Sequence, residues 1–142
     1  MTAVEGFLKT AEAVVLILQS AGLIEGESLE SVVNVEETDQ ILFWHALAKN
    51  GGGTKETYLV WNVIPTTPLI KADDQVSLRS GSALIDLFTR YSMGDETIQQ
   101  LMKRINQEAL SEGWDCELYE VPSYEPEFKR TRVTLQITKM IK

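Results

Sequence analysis

The strongest constraint on the fold is a strict alternation of side chains near the end of the sequence. Within the run FKRTRVTLQITKMI at residues 128–141, Val133, Leu135 and Ile137 alternate with polar residues. Successive side chains of a β-strand point to opposite faces, so this pattern indicates a strand that is half buried. We therefore predict a β-sheet in which this segment is a long final strand.

Three other segments are predicted as strands of the same sheet. The run ETYLVWNVI at 56–64 is rich in β-branched and aromatic residues, and Pro65 and Pro68 are expected to end it. Residues 77–91 are expected to pair with this strand across the loop that follows the prolines. A short strand at 114–121 and the turn PSYEPE then lead into the final strand.

Two segments have the spacing of amphipathic helices. The first helix is predicted at 2–22, where Thr2 and Glu5 fit a capping box that satisfies free backbone amides. The second is predicted at about 95–112, with Asp95 as its N-cap. Leu16 and Ile17 widen the stripe of the first helix, so two of its sides are expected to be covered. The apolar residues at helical spacing in the first helix are Val4, Phe7, Leu8, Ala11, Val14, Val15 and Leu18.

The region between the first helix and the first strand is the least patterned. Residues 25–37 are acidic and are predicted as a loop, with a possible short strand at 32–35. Residues 38–53 fit either a short helix or a strand at 41–47, and we favour the helix. The three glycines at 51–53 indicate a flexible turn.

These elements predict one α+β domain over residues 1–142, in the order α-(α)-β-β-α-β-β. Strands joined by hairpin-length links favour a mostly antiparallel sheet of about four strands, with helices packed on one face. A chain of 142 residues has the common size of a single domain and buries enough surface to form a core without disulfides or metal.

Composition excludes several classes of protein. With 13 basic and 21 acidic residues the net charge is −8, which disfavours binding to nucleic acid or to an anionic membrane. The longest apolar run, at 13–18, is too short to span a bilayer, and no signal peptide is recognised. Cys116 is the only cysteine, so no internal disulfide can form and a reducing compartment is expected. We expect a soluble, non-secreted protein.

Catalytic residues are not evident in the sequence. His45 lies in an apolar stretch and Cys116 on a predicted strand, so both are interpreted as packed residues, and no cofactor is expected. A metal site would have to bring Asp73 and Asp74 close to Asp86. Asp86 stands twelve residues beyond Asp74, which is up to about 40 Å in an extended chain. A metal-dependent hydrolase or nuclease that uses these three aspartates therefore remains an alternative only.

The strand predicted at 77–91 has two different faces. One face carries Ser82, Leu84, Asp86, Phe88 and Arg90, and the other carries Ala83, Ile85, Leu87 and Thr89. The second face is apolar and is predicted to lie in the core. The first face mixes Leu84 and Phe88 with a pair of opposite charges, so either a neighbouring subunit or the chain's own elements cover it. Both interpretations stay open.

Several of these features together resemble the small tail-completion and head–tail joining proteins of long-tailed bacteriophages, including the tail-terminator type. The resemblance covers about 56–138, over half of the chain. It is carried by the aromatic strand Tyr58–Val63, the A-D-D turn Ala72–Asp74, the alternating strand Ser82–Arg90, a helix ending in E-G-W at Glu112–Trp114, and a hairpin with T-R-V at Thr131–Val133.

The resemblance implies a non-enzymatic virion protein that assembles into a homo-oligomeric ring, commonly a hexamer, at the head–tail junction. Such a ring would contact the tail tube protein and the head–tail connector, and DNA would pass through its lumen without specific binding. The implied location is the virion, after assembly in the host cytoplasm. A cytoplasmic adaptor that binds a partner through the acidic segment 25–40 is a further alternative. The residues assigned to the oligomer interface are Tyr58, Trp61, Asp73, Asp74, Leu84, Asp86, Phe88 and Arg90.

Overall fold

The structure of the protein, a computed structural model, describes residues 2–26, 41–46, 57–72 and 75–141, with the backbone alone at 66–72 and 75–77. This part of the chain forms two helices and seven strands. The helices are α1 (Ala3–Ser20) and α2 (Glu96–Ser111). The strands are β1 (Ile24–Glu25), β2 (Leu42–His45), β3 (Thr57–Ala72), β4 (Gln75–Thr89), β5 (Asp115–Leu118), β6 (Ser123–Glu125) and β7 (Arg130–Ile141).

Both predicted helices are confirmed, with ends within two residues of the predicted ones. The Thr2 hydroxyl oxygen accepts a hydrogen bond from the Glu5 amide at 3.1 Å, as the capping box predicts. At the start of α2, Asp95 Oδ1 accepts from the amides of Thr97 and Ile98, at 2.9 and 3.3 Å. These caps replace hydrogen bonds that the first turn of a helix cannot make with its own backbone. Neither helix of the described residues is long and apolar enough to span a bilayer.

The seven strands form one mixed sheet in the order β1-β2-β3-β4-β7-β5, with β6 also pairing with β7. β1 and β3 both run parallel to β2, whereas the pairs β3–β4, β4–β7, β5–β7 and β6–β7 are antiparallel. The prediction of about four strands in the order α-(α)-β-β-α-β-β is therefore wrong. The observed order is α-β-β-β-β-α-β-β-β over the described residues.

The main local error lies at β2, because the favoured helix at 38–53 is a strand at Leu42–His45. Leu42, Phe43 and Trp44 are all buried, so side chains are covered on both faces of this strand. A strand buried on both faces reads as a continuous apolar run instead of an alternation, and such a run cannot be told from a short helix by periodicity. The possible strand at 32–35 and the glycines at 51–53 lie outside the described residues.

The two prolines do not end β3, contrary to the prediction. The strand continues to Ala72, and its register with β4 shifts between Ile64 and Thr67 and again between Pro68 and Ile70. Such irregularities let a strand accommodate a residue that has no amide hydrogen to donate. Beyond the pair Pro68–Arg79, residues 69–72 and 75–78 have pairs only with each other among the described strands, because β7 pairs with β4 only from Arg79 onward. We call this two-stranded extension the β3–β4 ribbon.

The main core lies between one face of the sheet and the two helices. We call the sheet face that packs against the helices the inner face, and the opposite sheet face the outer face. Gly81 of β4 permits close approach of α1, because a β-carbon at this position would lie 2.8 Å from Thr10 Oγ1. Thr10 is fully buried and donates its hydroxyl proton to the Gly6 carbonyl at 2.8 Å. The inner-face residues in this core include Leu59, Trp61, Ala83, Ile85, Leu87, Val133, Leu135 and Ile137.

Candidate functional site on the outer face

The outer face carries four of the eight residues that the sequence assigned to an interface, namely Tyr58, Leu84, Asp86 and Phe88. The register places Phe88 between Tyr58 on β3 and Arg132 on β7, and Asp86 beside Thr134. The prediction that Leu84, Asp86 and Phe88 share one face, with Ala83, Ile85 and Leu87 in the core, is confirmed. The pleat of the strand explains both sets, since alternate residues point to opposite faces.

At one end of this face, the side chain of Arg130 packs among aromatic rings. The rings of Tyr58 and Phe88 stack with their centroids 5.1 Å apart. The Arg130 guanidinium carbon lies 4.4 Å from the centroid of Phe88 and 4.5 Å from that of Phe128. Arg130 also donates to the Tyr58 hydroxyl and, from Nε, to Glu125 at 2.8 Å. These cation–π and charge-assisted contacts fix the position of the guanidinium.

Burial controls the ionisation of the tyrosine in this cluster. Tyr58 is 6% exposed. Burial raises the pKa of its hydroxyl, and the charge and hydrogen bond of Arg130 offset only part of that rise. Tyr58 therefore stays neutral at physiological pH, where it accepts a hydrogen bond from Arg130 and does not act as an anion.

Asp86 makes its hydrogen bonds and its ion pair with residues of β7. Its Oδ1 accepts from the Thr134 hydroxyl at 2.5 Å and from Arg132 Nε at 3.2 Å. Asp86 is 8% exposed, while Arg90 lies exposed just beyond the end of β4. The charge pair expected within one strand is thus replaced by a pair between two adjacent strands.

Among the described residues, carboxylates do not gather on this face. The structure brings no group of three or more His, Cys, Asp or Glu side chains together as a metal site within the residues it describes. Asp73 and Asp74 lie outside those residues, so the alternative in which they meet Asp86 is not tested by the structure. The contacts of Asp86 are those of a structural acceptor, because its bonded oxygen is directed at a hydroxyl and a guanidinium.

The β2 end of the outer face is closed by a second, smaller apolar cluster. It contains Leu42, Trp44, Tyr58 and Val60, all less than a tenth exposed. Trp44 packs edge-on against Tyr58 with ring centroids 6.1 Å apart. Gly26 lies against the indole so closely that a β-carbon there would overlap the ring. Trp44 Nε1 is buried, and no hydrogen-bond partner for it occurs in the part of the chain described.

The remaining candidates occupy different positions. Trp61 is on the inner face, where it is 6% exposed and His45 stacks on it with centroids 4.2 Å apart. His45 itself is exposed, so it covers an edge of the core as expected but is not enclosed by it. Leu84 and Phe88 are half-buried, and Arg130 lies over the Phe88 ring. The chain's own side chains therefore cover part of this face, which is one of the two interpretations that the sequence left open.

The single cysteine is not activated. Cys116 is half-buried on β5, and burial, followed by the nearby charge of Glu117, raises the pKa of its thiol. A raised pKa reduces the thiolate fraction at neutral pH and so opposes nucleophilic chemistry.

Three residues of this face, Arg130, Arg132 and Thr134, were not predicted from the sequence. They occupy one side of the alternating run at 128–141, on the face opposite Val133 and Leu135. The alternation shows that they lie on one face, but only the strand register shows that they meet Asp86 and Phe88.

No protein-family model matches this sequence, and no curated protein resembles it significantly. A function is therefore inferred from the chain's own surface and from the resemblance of residues 56–138 to the phage tail-completion proteins.

Proposed function

We propose that this protein is a non-enzymatic structural subunit of a bacteriophage virion, which assembles into a ring at the head–tail junction. A hexamer is the expected ring. It would cap the tail tube, join the tube to the head connector and leave a lumen for DNA. We choose a phage head–tail ring as the assembly because residues 56–138 resemble tail-completion proteins.

The β3–β4 ribbon is the structural observation that best supports assembly. Its two strands pair with each other beyond the sheet and with no other strand in the described part of the chain. An isolated two-stranded ribbon is marginally stable in water, and it gains stability when another surface packs on it. A neighbouring subunit in a ring is such a surface.

The acidic composition supports a conduit for DNA. A net charge of −8 on each subunit repels the phosphate backbone, so DNA would slide past without being retained. The same charge disfavours a subunit that grips nucleic acid as its main function.

The test is to measure the assembly of the wild-type protein and of a variant in which a short Asn-Gly turn replaces residues 69–78, between the paired residues Pro68 and Arg79. Asn-Gly forms the tight turn that a two-residue hairpin requires, so the shortened strands should still pair. We expect light scattering and electron microscopy to show rings for the wild type, free or at one end of tail tubes, and monomers for the variant. Circular dichroism should show that the variant keeps its fold.

Two results would contradict the proposal in different ways. A wild-type protein that stays monomeric at high concentration, and binds neither tube nor connector, would exclude the ring function. A shortened variant that assembles like the wild type would leave the ring but exclude the ribbon as its contact.

A further inference from the structure

The N-terminal half of α1 presents its large apolar side chains to the outside. Val4, Phe7 and Leu8 are 67%, 39% and 53% exposed, whereas the small residues Gly6 and Thr10 are buried against the sheet. A surface helix normally turns its bulky apolar residues toward the core. We call Val4, Phe7 and Leu8 the α1 apolar surface, and its arrangement indicates that another surface covers it.

A concave apolar surface of matching character lies elsewhere on the molecule. A groove of about 300 Å³ runs between α2 and β5, lined by Met102, Cys116, Leu118 and Leu135 among others. Leu118 is 55% exposed, so the groove opens at the edge of the sheet. No residue of α1 lines it. We call it the α2–β5 groove, and the α1 of the same chain does not fill it.

The charged residues beside the two surfaces allow an ion pair between copies. Glu12 is exposed one helical turn beyond Leu8 on α1. Lys103 is exposed and lines the groove. Glu117 lines the groove as well, so the groove carries one charge of each sign, and Lys103 is the residue that can pair with Glu12 of a neighbouring copy.

We propose that the α1 apolar surface of one subunit docks into the α2–β5 groove of the next copy, an inference that rests on the proposed ring. The two surfaces are different parts of the molecule, so the contact is head-to-tail. A head-to-tail contact repeats from subunit to subunit, and it gives a closed ring when the rotation closes. In this contact the side chains of the α1 apolar surface insert into the groove, and the walls of the groove exclude water around them.

The native cysteine in the groove provides a direct test. In a Leu8→Cys variant, a mild oxidant at slightly alkaline pH should link the new cysteine to Cys116 of a neighbouring subunit. Non-reducing electrophoresis should then show a ladder of dimers, trimers and larger species. Leu16→Cys is the matched control, because Leu16 is on the same helix and 47% exposed but lies about 12 Å further along its axis. It should give no ladder.

The double variant Leu8→Cys, Cys116→Ser separates the possible contacts. A head-to-tail contact predicts that the ladder disappears when Cys116 is removed. A dimer band that persists in the double variant would show that α1 meets α1 of a second copy, and this result would overturn the inference.

Charge variants give a second readout that does not depend on the cysteine. Leu8→Glu should weaken assembly about tenfold or more, because it removes an anchor from the pocket, while Leu16→Glu should leave assembly unchanged. Both sites are exposed, so the fold should persist, and circular dichroism checks this. Lys103→Glu should weaken assembly, and Glu12→Lys in the same chain should restore it.

The outcomes distinguish this inference from the ring itself. Rings that form normally in Leu8→Glu and give no link between positions 8 and 116 would overturn the docking contact and leave the proposed function standing. A wild-type protein that is monomeric alone, with tube and with connector would overturn both.

Discussion

At the scale of single residues, Asp86 connects the two central strands of the outer face. Thr134 is 2% exposed, so its hydroxyl has little access to water when its acceptor is removed. Asp86→Ala should lower the free energy of unfolding by about 1–3 kcal/mol, the cost of leaving a buried donor unsatisfied. Asp86→Asn keeps an acceptor oxygen and should cost less. Urea denaturation of both variants measures the difference.

The same pair of variants tests the carboxylate-site alternative. If Asp86 only joins strands, wild type and Asp86→Asn should behave alike when magnesium or manganese is titrated in a calorimeter. Ion binding by the wild type that is lost in Asp86→Asn, with stability unchanged, would favour the metal-dependent hydrolase instead.

Cys116 gives a pH-dependent prediction. Because burial raises the pKa of its thiol, less thiolate should be present in the folded protein than in the unfolded protein at any pH near the ordinary cysteine pKa of about 8.5. Since the folded pKa is the higher one, the contribution of this group to stability is fully present below the unfolded pKa and is lost as pH rises through the folded value. Reaction with a chromogenic disulfide reagent should be slower in buffer than in urea, and equal rates would contradict this prediction.

At the scale of elements, the caps and the helical spacing predicted α1 and α2 because these signals are local. β2 was missed because its continuous apolar run reflects burial on both faces, which depends on distant parts of the chain. The extension of β3 past Pro65 was missed for a related reason, since the register shifts that admit it arise from pairing with β4. Propensity rules describe a strand alone, whereas the extent of β2 and β3 depends on the strands and side chains that pack against them.

The residues of the outer face could likewise be predicted from the sequence only in part. Alternation alone placed Leu84, Asp86 and Phe88 together, and the structure confirms this. It could not supply Arg130 and Arg132, because a cross-strand partner is known only when the register is known. The interface role of these residues remains a prediction.

The packing of α1 on β4 depends on the absence of a side chain at Gly81. A β-carbon there would lie against Thr10 and Ile141, so Gly81→Ala should push the helix from the sheet. We expect a loss of about 1–3 kcal/mol, typical of overpacking a close contact. Gly94→Ala is the control, since the nearest atom to its β-carbon would be Ser92 Oγ at 3.6 Å. Equal urea midpoints for the two variants would contradict this packing.

At the scale of the whole molecule, charge should oppose assembly. Subunits that each carry a net charge of −8 repel one another, and salt screens that repulsion over about 10 Å at 0.1 M. Because the proposed contact is mainly apolar, raising the salt concentration should strengthen association in sedimentation experiments. Association that weakens with salt would instead show that ion pairs dominate the contact.

The position of β7 in the sheet has a consequence for biosynthesis. β4 lies between β3 and β7, so its second neighbour is a strand that begins only at Arg130. During translation α1 is made first, yet the sheet that buries Val14, Ile17 and Leu18 is incomplete until residues 130–141 have left the ribosome. Pairings between distant parts of a chain form slowly and leave apolar surface exposed meanwhile. Nascent chains of this protein should therefore be clients of ribosome-associated chaperones until that last strand emerges.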